Sequence, residues 1–271
     1  MNNFSVIMPV YFKERPERLR LAINSLLEQT ITPGEIVIVL DGPVGKELNN
    51  VIQKFNKIDF IRIIELAENK GVGIARKTAI EKAKYDILAL MDSDDISCKD
   101  RFEKQIEKII NGNAQVVGGW IEEFKEKPGD IGSVRKLPKT HEEIYKFGKW
   151  RMPVNNVTLM FTRQVYDAAG GYSEQTKNED WNLVVNLIAT GARFFNIPEI
   201  VVHARAGEDM IVRRRGWTHQ ITALHIFPLM YKLRYIGIFH LVANIVIRVV
   251  LRMLPIGTTS YLYRKVLRTK S

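Results

Sequence analysis

The chain has few of the features that would direct it out of the cytoplasm. It contains one cysteine, Cys98, among 271 residues, so an internal disulfide is excluded and a reducing compartment fits best. The apolar stretch at residues 4–12 stops at Lys13 and Glu14, so it is too short for a secretory signal. We therefore expect the body of the protein to stay on the cytoplasmic side.

Acidic residues are absent from the C-terminal part of the sequence. From Met210 onward there are 11 of the 40 Lys and Arg residues and none of the 30 Asp and Glu residues, so this part carries the whole excess of positive charge in a chain of formal charge +10. A nearly neutral body with a basic, apolar tail favours an anionic membrane surface over nucleic acid as a partner. We therefore divide the chain into a body, residues 1–209, and a basic helical tail, residues 210–271.

The tail has no apolar run long enough to cross a membrane. Only 13 uncharged residues separate Arg234 from Arg248, whereas a spanning helix needs about 20. Helices that lie in the membrane interface, apolar on one side and basic on the other, are expected instead. The alternative is a helical subdomain that packs on the body or forms a dimer contact.

Short β-branched runs alternate with helical patterns through the body. The predicted strands are residues 4–10, 35–40, 60–66, 86–91, 114–124, 157–161 and 194–204. The predicted helices are residues 14–28, 46–55, 72–84, 99–110, 163–169 and 179–190, and residues 125–139 are predicted as a long polar connection. This order predicts an α/β fold with a mostly parallel sheet, flanking helices and a ligand site at the carboxyl ends of the strands.

Polar residues gather where the first four strands end. Tyr11 follows the first strand, Asp41-Gly42 the second, residues 69–71 (Asn-Lys-Gly) the third and residues 92–95 (Asp-Ser-Asp-Asp) the fourth. Isolated turn residues would be distributed over both ends of the strands. We therefore expect these side chains to meet at one rim of the sheet.

The acidic cluster Asp92, Asp94 and Asp95 is the sharpest of these signals. Two like charges near 4 Å repel by roughly 4 kcal/mol at an effective dielectric of about 20, so the cluster calls for a counterion. Oxygen ligands of this kind suit Mg²⁺ or Mn²⁺, which also bind substrate phosphates. An Asx turn that caps the next helix explains one of the three carboxylates but not all of them.

Taken in order, these motifs resemble family 2 of the inverting glycosyltransferases, as found in bacterial O-antigen and exopolysaccharide synthesis. The resemblance rests on the sequence SVIMPVY at residues 5–11, Asp41-Gly42, Asn69-Lys70-Gly71 with Ala75-Arg76, and Asp92-Ser93-Asp94-Asp95. It covers about the first two hundred residues. It implies a GT-A fold, a nucleotide-diphospho-sugar transferase architecture with a Rossmann-like sheet.

The resemblance also implies a donor site. Base and ribose would be held by Pro9, Val10, Tyr11, Glu14 and Asp41, and the metal on the diphosphate by Asp92, Asp94 and Asp95. The remaining predicted donor-binding residues are Asn69, Gly71, Arg76 and Ser93. Tyr11 can stack on a base, and Arg76, near a helix start, can reach phosphate; a solvated helix charge is the alternative for Arg76.

A second acidic pair, Glu179-Asp180, opens a predicted helix before Trp181. The resemblance implies that this pair supplies the general base, and we assign that role to Asp180. A single in-line displacement needs one carboxylate near the acceptor hydroxyl and a metal on the departing diphosphate. Acidic residues are also favoured in the first turn of any helix, which alone would explain Glu179.

Two further motifs have weaker signals. His203 follows a predicted strand and is either an additional metal ligand or a structural residue. Residues 213–217, with Arg213, Arg214, Arg215 and Trp217, resemble a basic motif that follows the catalytic body in bacterial members of the family. They would bind the donor diphosphate or the acceptor phosphate, or form a solvated patch beside the membrane.

The sequence therefore predicts transfer of a hexose from a nucleotide sugar, UDP-linked, to a lipid-linked saccharide at the cytoplasmic side of the inner membrane. A sugar nucleotidyltransferase is one alternative, but it would need a glycine-rich phosphate loop after the first strand, where this chain has Pro9-Val10-Tyr11. A non-enzymatic membrane or nucleic-acid binding module is the other, and it leaves the acidic rim unexplained.

Overall fold

A ten-stranded mixed sheet organises the body of the protein. The computed structural model describes residues 3–173, 178–206, 225–253 and 269–270. The strands, β1 to β10 in chain order, are Ser5–Tyr11, Glu35–Asp41, Ile61–Glu65, Ile87–Leu90, Ile96–Ser97, Val116–Phe124, Ser133–Arg135, Met160–Thr162, Phe194–Arg205 and Thr269–Lys270. The helices, α1 to α9, are Pro16–Leu27, Lys46–Phe55, Val72–Lys82, Arg101–Ile110, His141–Gly148, Arg163–Ala168, Glu179–Ala189, Ile226–Lys232 and Ile238–Met253.

The strand order is β10-β7-β6-β8-β4-β1-β2-β3, with β9 paired to β6 and β5 paired to β9. Strands β3, β2, β1 and β4 are parallel, whereas β8 joins β4 and β6 in antiparallel pairs. The register aligns Tyr11 at the end of β1 with Asp41 at the end of β2. The polar residues that follow these strands therefore share one edge of the sheet, as the sequence predicts.

Both faces of the parallel strands are buried under helices. Side chains alternate along a strand, so Ile7 and Val37 face one core while Val6 and Ile36 face the other. Helices α3 and α7 cover the first face, and α1, α2 and α4 cover the second. This double coverage explains the continuous β-branched runs from which the strands were predicted.

The C-terminal segment from residue 225 contributes to the same core. Phe227 and Met230 of α8 and Tyr235 after it are buried with the apolar face of α7. Asn244 of α9 donates a hydrogen bond to the Lys149 carbonyl at 2.9 Å. The first described part of the predicted tail thus packs on the body. The predicted boundary near residue 210 lies outside the described residues.

Helix α9 packs on α7 and α8 through a cation over aromatic rings. The guanidinium of Arg248 lies 4.2 Å from the ring centroid of Phe227 and 5.7 Å from that of Trp181. Burial lowers the pKa of Arg248 to about 10. Among the described residues, no helix combines the length and the hydropathy that a membrane crossing requires.

Several local elements differ from the sequence prediction, and strands β5 and β10 were not predicted. The predicted strand at 157–161 begins instead as a 3-10 turn, Asn156–Thr158, because the Thr158 hydroxyl bonds within the turn, donating to the Asn155 carbonyl at 2.7 Å. The connection at 125–139 contains β7. Helix α5 was not predicted, although Thr140 and Glu143 form a capping box at its start.

A buried arginine, Arg101 of α4, fixes the strand that leads into the acidic cluster. Its guanidinium donates to the carbonyls of Leu90 at 2.7 Å and Val157 at 3.2 Å, and to Gln105 Oε1 at 2.9 Å. Burial lowers the pKa of Arg101 to about 10. This one side chain joins β4, α4 and the 3-10 turn.

We expect Arg101→Met to lower the free energy of unfolding by about 3 kcal/mol, because the substitution leaves buried acceptors without donors. Urea denaturation followed by circular dichroism measures this change. The control is Lys104→Met on the same helix, where an ion pair at the surface should contribute less than about 1 kcal/mol. Equal losses in the two variants would contradict the structural role of Arg101.

Candidate active site

The predicted rim exists, and an exposed aromatic pair forms one side of it. Tyr11 and Phe12 are 41% and 53% exposed, and their rings meet edge to face with centroids 5.9 Å apart. Pro9 and Val10, also predicted to bind the donor, have buried side chains. They can offer only backbone atoms to a ligand, whereas Tyr11 offers a ring face suited to stacking on a base.

The Asp41 carboxylate holds the loop that precedes α3. Its two oxygens accept hydrogen bonds from the backbone N–H groups of Lys70 at 2.7 Å and Gly71 at 2.9 Å. The Asn69 amide donates to the Asp41 carbonyl at 3.2 Å. Gly42 has a φ of +86°, and a Cβ there would lie 2.7 Å from the Asn69 nitrogen. The loops after β2 and β3 are therefore locked together.

Glu14 and Ser93 connect the loop after β1 to the acidic cluster. The Ser93 hydroxyl donates to Glu14 Oε2 at 2.6 Å, and Glu14 Oε1 accepts from the Arg15 N–H at 2.8 Å. Both residues were predicted to bind the donor. The structure places them against each other at the same edge of the sheet as Tyr11.

Arg76 lies at the centre of the site and is buried, with 4% of its side chain exposed. One guanidinium nitrogen donates to Asp92 Oδ1 at 2.6 Å, and another lies 3.9 Å from Glu179 Oε1. With its amide oxygen turned toward the guanidinium, Asn156 accepts from the same group at 3.1 and 3.3 Å. Arg76 thus joins the acidic cluster to the Glu179-Asp180 pair.

The charge state of Arg76 is secured by these neighbours. Burial opposes its charge, but Tyr172, Asp92 and Glu179 together raise the pKa of Arg76. Among the described residues, its Nε has no hydrogen-bond partner, nor does the buried hydroxyl of Tyr172. The guanidinium therefore lies next to both acidic groups and keeps one buried N–H donor unpaired.

The Glu179-Asp180 pair reaches this centre because Gly73 leaves room for it. A Cβ at Gly73 would lie 3.1 Å from Cβ and Cγ of Glu179, so α3 and α7 approach closely at their N-termini. Burial, then the charge of Asp180, raises the pKa of Glu179. Asp180 Oδ1 accepts from the Trp181 N–H at 2.7 Å, which fixes the orientation of the carboxylate.

The carboxyl groups of Asp94 and Asp95 lie where a negative charge is energetically unfavourable. Burial, then the charges of Asp92 and Glu14, raises the pKa of Asp94 to about 6. Burial and the charges of Asp94 and Asp92 also raise the pKa of Asp95. Asp95 Oδ1 accepts from the Arg205 N–H at 2.6 Å, so this carboxylate anchors β9.

Carboxylates of this arrangement fit a hard divalent cation that also contacts phosphate. The charge of Asp92 is close enough to raise the pKa of Asp94, and Mg²⁺ is commonly held by one or two carboxylates with substrate phosphates and waters. Within the described ranges, no group of three or more His, Cys, Asp or Glu side chains has a metal-binding arrangement by itself. The remaining ligands would have to come from substrate and solvent.

The ring nitrogens of His203 contact side chains other than the aspartates of the acidic cluster. Its Nδ1 lies 2.7 Å from Glu122 Oε2, and its Nε2 lies 3.5 Å from Cys98 Sγ. Both ring nitrogens thus have protein partners, and we leave His203 out of the metal site. The predicted Arg213, Arg214, Arg215 and Trp217 lie outside the described residues.

Sequence reasoning missed Gly73, Asn156 and Arg205 as residues that shape the site. Arg205 donates from Nε to the Asp94 carbonyl at 3.1 Å, beside the bond from its N–H to Asp95. The N-terminal position of Gly73 in α3 carried a weak signal, since glycine inside a helix usually has a packing reason. Asn156 and Arg205 carried no signal, because their partners are distant in sequence.

The raised pKa of Asp94 gives a stability prediction. The pKa of Asp94 in the folded protein, about 6, exceeds the ordinary value of 3.8, so the folded state favours the protonated carboxyl. The contribution of Asp94 to the free energy of unfolding is therefore highest below about pH 4 and is lost as the pH rises through 6. With chelator present, we expect Asp94→Asn to raise the free energy of unfolding by about 1 to 2 kcal/mol at pH 7.5 and much less at pH 4.5.

Urea titrations at the two pH values measure this difference. Asp59→Asn, at an exposed position, is the control and should have little effect at either pH. An Asp94→Asn gain of the same size at pH 4.5 and pH 7.5 would mean that the aspartate charge is not the cause.

Comparison with known proteins agrees with this geometry. A model described as "Glycosyl transferase family 2" matches residues 5–170. The UDP-Gal:alpha-D-GlcNAc-diphosphoundecaprenol beta-1,3-galactosyltransferase of Escherichia coli is 32% identical over 266 residues, covering 98% of this chain and 96% of that protein. The amylovoran biosynthesis glycosyltransferase AmsE of Erwinia amylovora is 32% identical over 264 residues, covering 97% and 98%.

A solved structure confirms the architecture. S. aureus TarS in complex with UDP-GlcNAc superposes with a TM-score of 0.65 at 18% identity, over 83% of this chain and 65% of that one. At this identity the likeness shows the fold alone, and the predicted GT-A fold is confirmed. Together, the family match and the full-length relatives show that this chain is a glycosyltransferase and belongs to glycosyl transferase family 2.

Proposed function

We propose that the enzyme transfers a hexose from a UDP-sugar to a lipid-linked saccharide with inversion, in the assembly of a bacterial surface polysaccharide. The observation that carries the proposal is the buried Arg76, which joins Asp92 on the donor side to Glu179 on the acceptor side. The E. coli relative is named for a UDP-sugar donor and a diphosphoundecaprenol-linked acceptor. It matches nearly the whole of this chain, which supports the same substrate classes here.

The donor binds along the rim from the ends of β1 and β2 to the acidic cluster. The Tyr11 ring stacks on the base, and the loops held by Asp41 and by the Glu14–Ser93 hydrogen bond form the walls of the nucleotide site. Arg76, bonded to Asp92 at 2.6 Å, supplies a positive charge beside the position proposed for the diphosphate. In this proposal the sugar lies between Asp92 and the Glu179-Asp180 pair.

We further propose that Asp92 and Asp94 hold Mn²⁺ or Mg²⁺ on the diphosphate. Bound there, the cation would supply Lewis-acid stabilisation to the leaving group. The raised pKa of Asp94 supports this assignment, because a nearby positive charge would relieve the repulsion among these carboxylates. Asp95 is assigned to the loop rather than to direct ligation, since its Oδ1 is bonded to Arg205.

Asp180 is the proposed general base for the acceptor. The acceptor hydroxyl oxygen bonds to the anomeric carbon while the bond from that carbon to the diphosphate oxygen breaks, and UDP leaves with the electron pair. The hydroxyl proton passes to the Asp180 carboxylate. The Trp181 N–H holds one oxygen of Asp180, and Glu179, paired with Arg76, supports the turn from which Asp180 projects.

Two substitutions separate the proposed roles. We expect Asp180→Asn to lower kcat by about a thousandfold while UDP binding is unchanged, because only proton transfer is removed. Asp94→Asn should instead abolish the increase in UDP affinity that Mn²⁺ produces. Calorimetry with UDP, with and without Mn²⁺, and release of UDP in a donor screen measure these effects.

The control for both variants is Asp59→Asn, which should behave as wild type. Metal-dependent UDP binding that survives in Asp94→Asn would remove the proposed metal site. Near-normal turnover in Asp180→Asn would remove the proposed base.

We also propose that the enzyme is peripheral at the cytoplasmic side of the inner membrane, held by α9. The exposed surface of this helix is apolar and consists of Ile238, Phe239, Val242, Ile245, Val246, Ile247, Val249 and Val250. Its polar residues Asn244 and Arg248 point toward the body instead. An exposed apolar face of this size supports contact with the acyl boundary of a bilayer.

Replacing two residues of this face tests the membrane proposal. We expect Val242→Asp with Val246→Asp to reduce partitioning onto phospholipid vesicles by at least tenfold, because buried apolar area is replaced by charge. Vesicle co-sedimentation measures the change. Leu21→Asp with Ile110→Asp, at exposed apolar positions on the body, is the matched control. Unchanged partitioning of the α9 variant would refute the assignment of the face.

A further inference from the structure

A basic cavity lies beside the start of α9, away from the active site. It has a volume of about 600 Å³ and opens where α5 ends and α8 turns into α9. Its walls carry three cations and three phenol rings: Lys149, Lys232, Arg234, Tyr145, Tyr231 and Tyr235. Among the described residues that line it, none is acidic.

The walls of this cavity are held by specific contacts. The buried Tyr235 donates its hydroxyl proton to the Tyr145 carbonyl at 2.7 Å, and the two rings meet edge to face at 4.9 Å. Lys149 lies over the Tyr145 ring at 5.1 Å. Gly148 is required there, because a Cβ would lie 2.3 Å from the Tyr235 hydroxyl oxygen. Helix α5 and the turn before α9 therefore form one rigid surface.

The turn itself presents Arg234 in an unusual conformation. Its φ is +58°, the left-handed region, which non-glycine residues seldom adopt. The turn is closed by hydrogen bonds from the Arg234 N–H to the Tyr231 carbonyl at 3.0 Å and from the Tyr235 N–H to the Met230 carbonyl at 2.9 Å. Glycine would adopt this φ without strain, yet the residue at this position is an arginine that lines the cavity.

The three cations call for an anion. Within the described part of the chain, neither Lys149, Lys232 nor Arg234 forms an ion pair with an acidic side chain. Lysine and arginine donors grouped around a concave surface are the usual environment of phosphate. The hydroxyls of Tyr145 and Tyr231 add neutral donors, and the phenol rings form an amphipathic wall suited to the membrane interface.

The position of the cavity next to α9 indicates which kind of molecule supplies that phosphate. Gly237 lines the cavity, and the next two residues, Ile238 and Phe239, are 60% and 72% exposed and begin the apolar face of α9. When that face enters the acyl boundary, the cavity lies at the level of the lipid headgroups. A basic site directly next to an apolar helix face matches an anionic lipid at an interface.

We propose that this cavity binds the phosphate headgroup of an anionic bilayer phospholipid, and so fixes the orientation of the enzyme on the membrane. The inference rests on the proposed membrane association, and it adds a defined headgroup site to the apolar face of α9. The active site is then held at a constant tilt to the bilayer from which the acceptor projects.

Vesicles that differ only in charge test this site. The test variant is Lys232→Gln with Arg234→Asn, since asparagine tolerates the left-handed backbone. We expect at least a tenfold loss of binding to phosphatidylcholine vesicles that contain phosphatidylglycerol, and no change with pure phosphatidylcholine. Lys54→Gln with Lys57→Gln removes the same charge from the body and should bind as wild type.

The outcomes are distinct. A loss equal to that of the Lys54 and Lys57 control would mean diffuse attraction and would overturn the headgroup site. Intact vesicle binding, with reduced transfer to a detergent-dispersed lipid-diphosphate acceptor, would also overturn it, because the cavity would then serve the acceptor. Wild-type protein that binds neither kind of vesicle would instead remove the proposed membrane association. Unchanged UDP affinity shows that the variant is folded.

Discussion

The active site depends on one buried cation. Arg76 lies between carboxylates that come from segments more than eighty residues apart, Asp92 after β4 and Glu179 at the start of α7. Without a positive charge between them, these acidic groups would repel each other in a region of low dielectric. The close approach of α3 and α7 at Gly73 places the guanidinium where both can reach it. The acidic cluster and the Glu179-Asp180 pair are therefore coupled through the protein itself.

Much of the fold could be predicted from the sequence, because its strands are buried on both faces and leave a strong β-branched pattern. Helix α2 at Lys46–Phe55 coincides with its prediction, and β1 to β4 agree within a few residues. Short elements were harder to predict from the sequence. Strand β7 has three residues and is defined by its pairing with β6, and α5 offered mainly a local capping signal at Thr140 and Glu143.

The location of the site was also predictable, whereas the partners of its residues were not. Parallel strands end at one edge, so Tyr11, Asp41 and the acidic cluster had to lie near each other. The sequence could not show that Arg76 points inward, because its burial depends on α7, a hundred residues later. For the same reason His203 looked available for a metal, although Glu122 and Cys98 contact both of its ring nitrogens.

The packing of α8 has a consequence for how the protein can be handled and how it can evolve. Phe227 lies edge to face against Trp181 with ring centroids 5.8 Å apart, and Trp181 directly follows the proposed base. A shortened chain that ends before residue 225 would therefore expose α7, the helix that carries the proposed base. The proposed membrane-binding helix α9 follows α8 directly, so the proposed membrane attachment and the packing of α7 share this segment, and neither can be exchanged as an independent module.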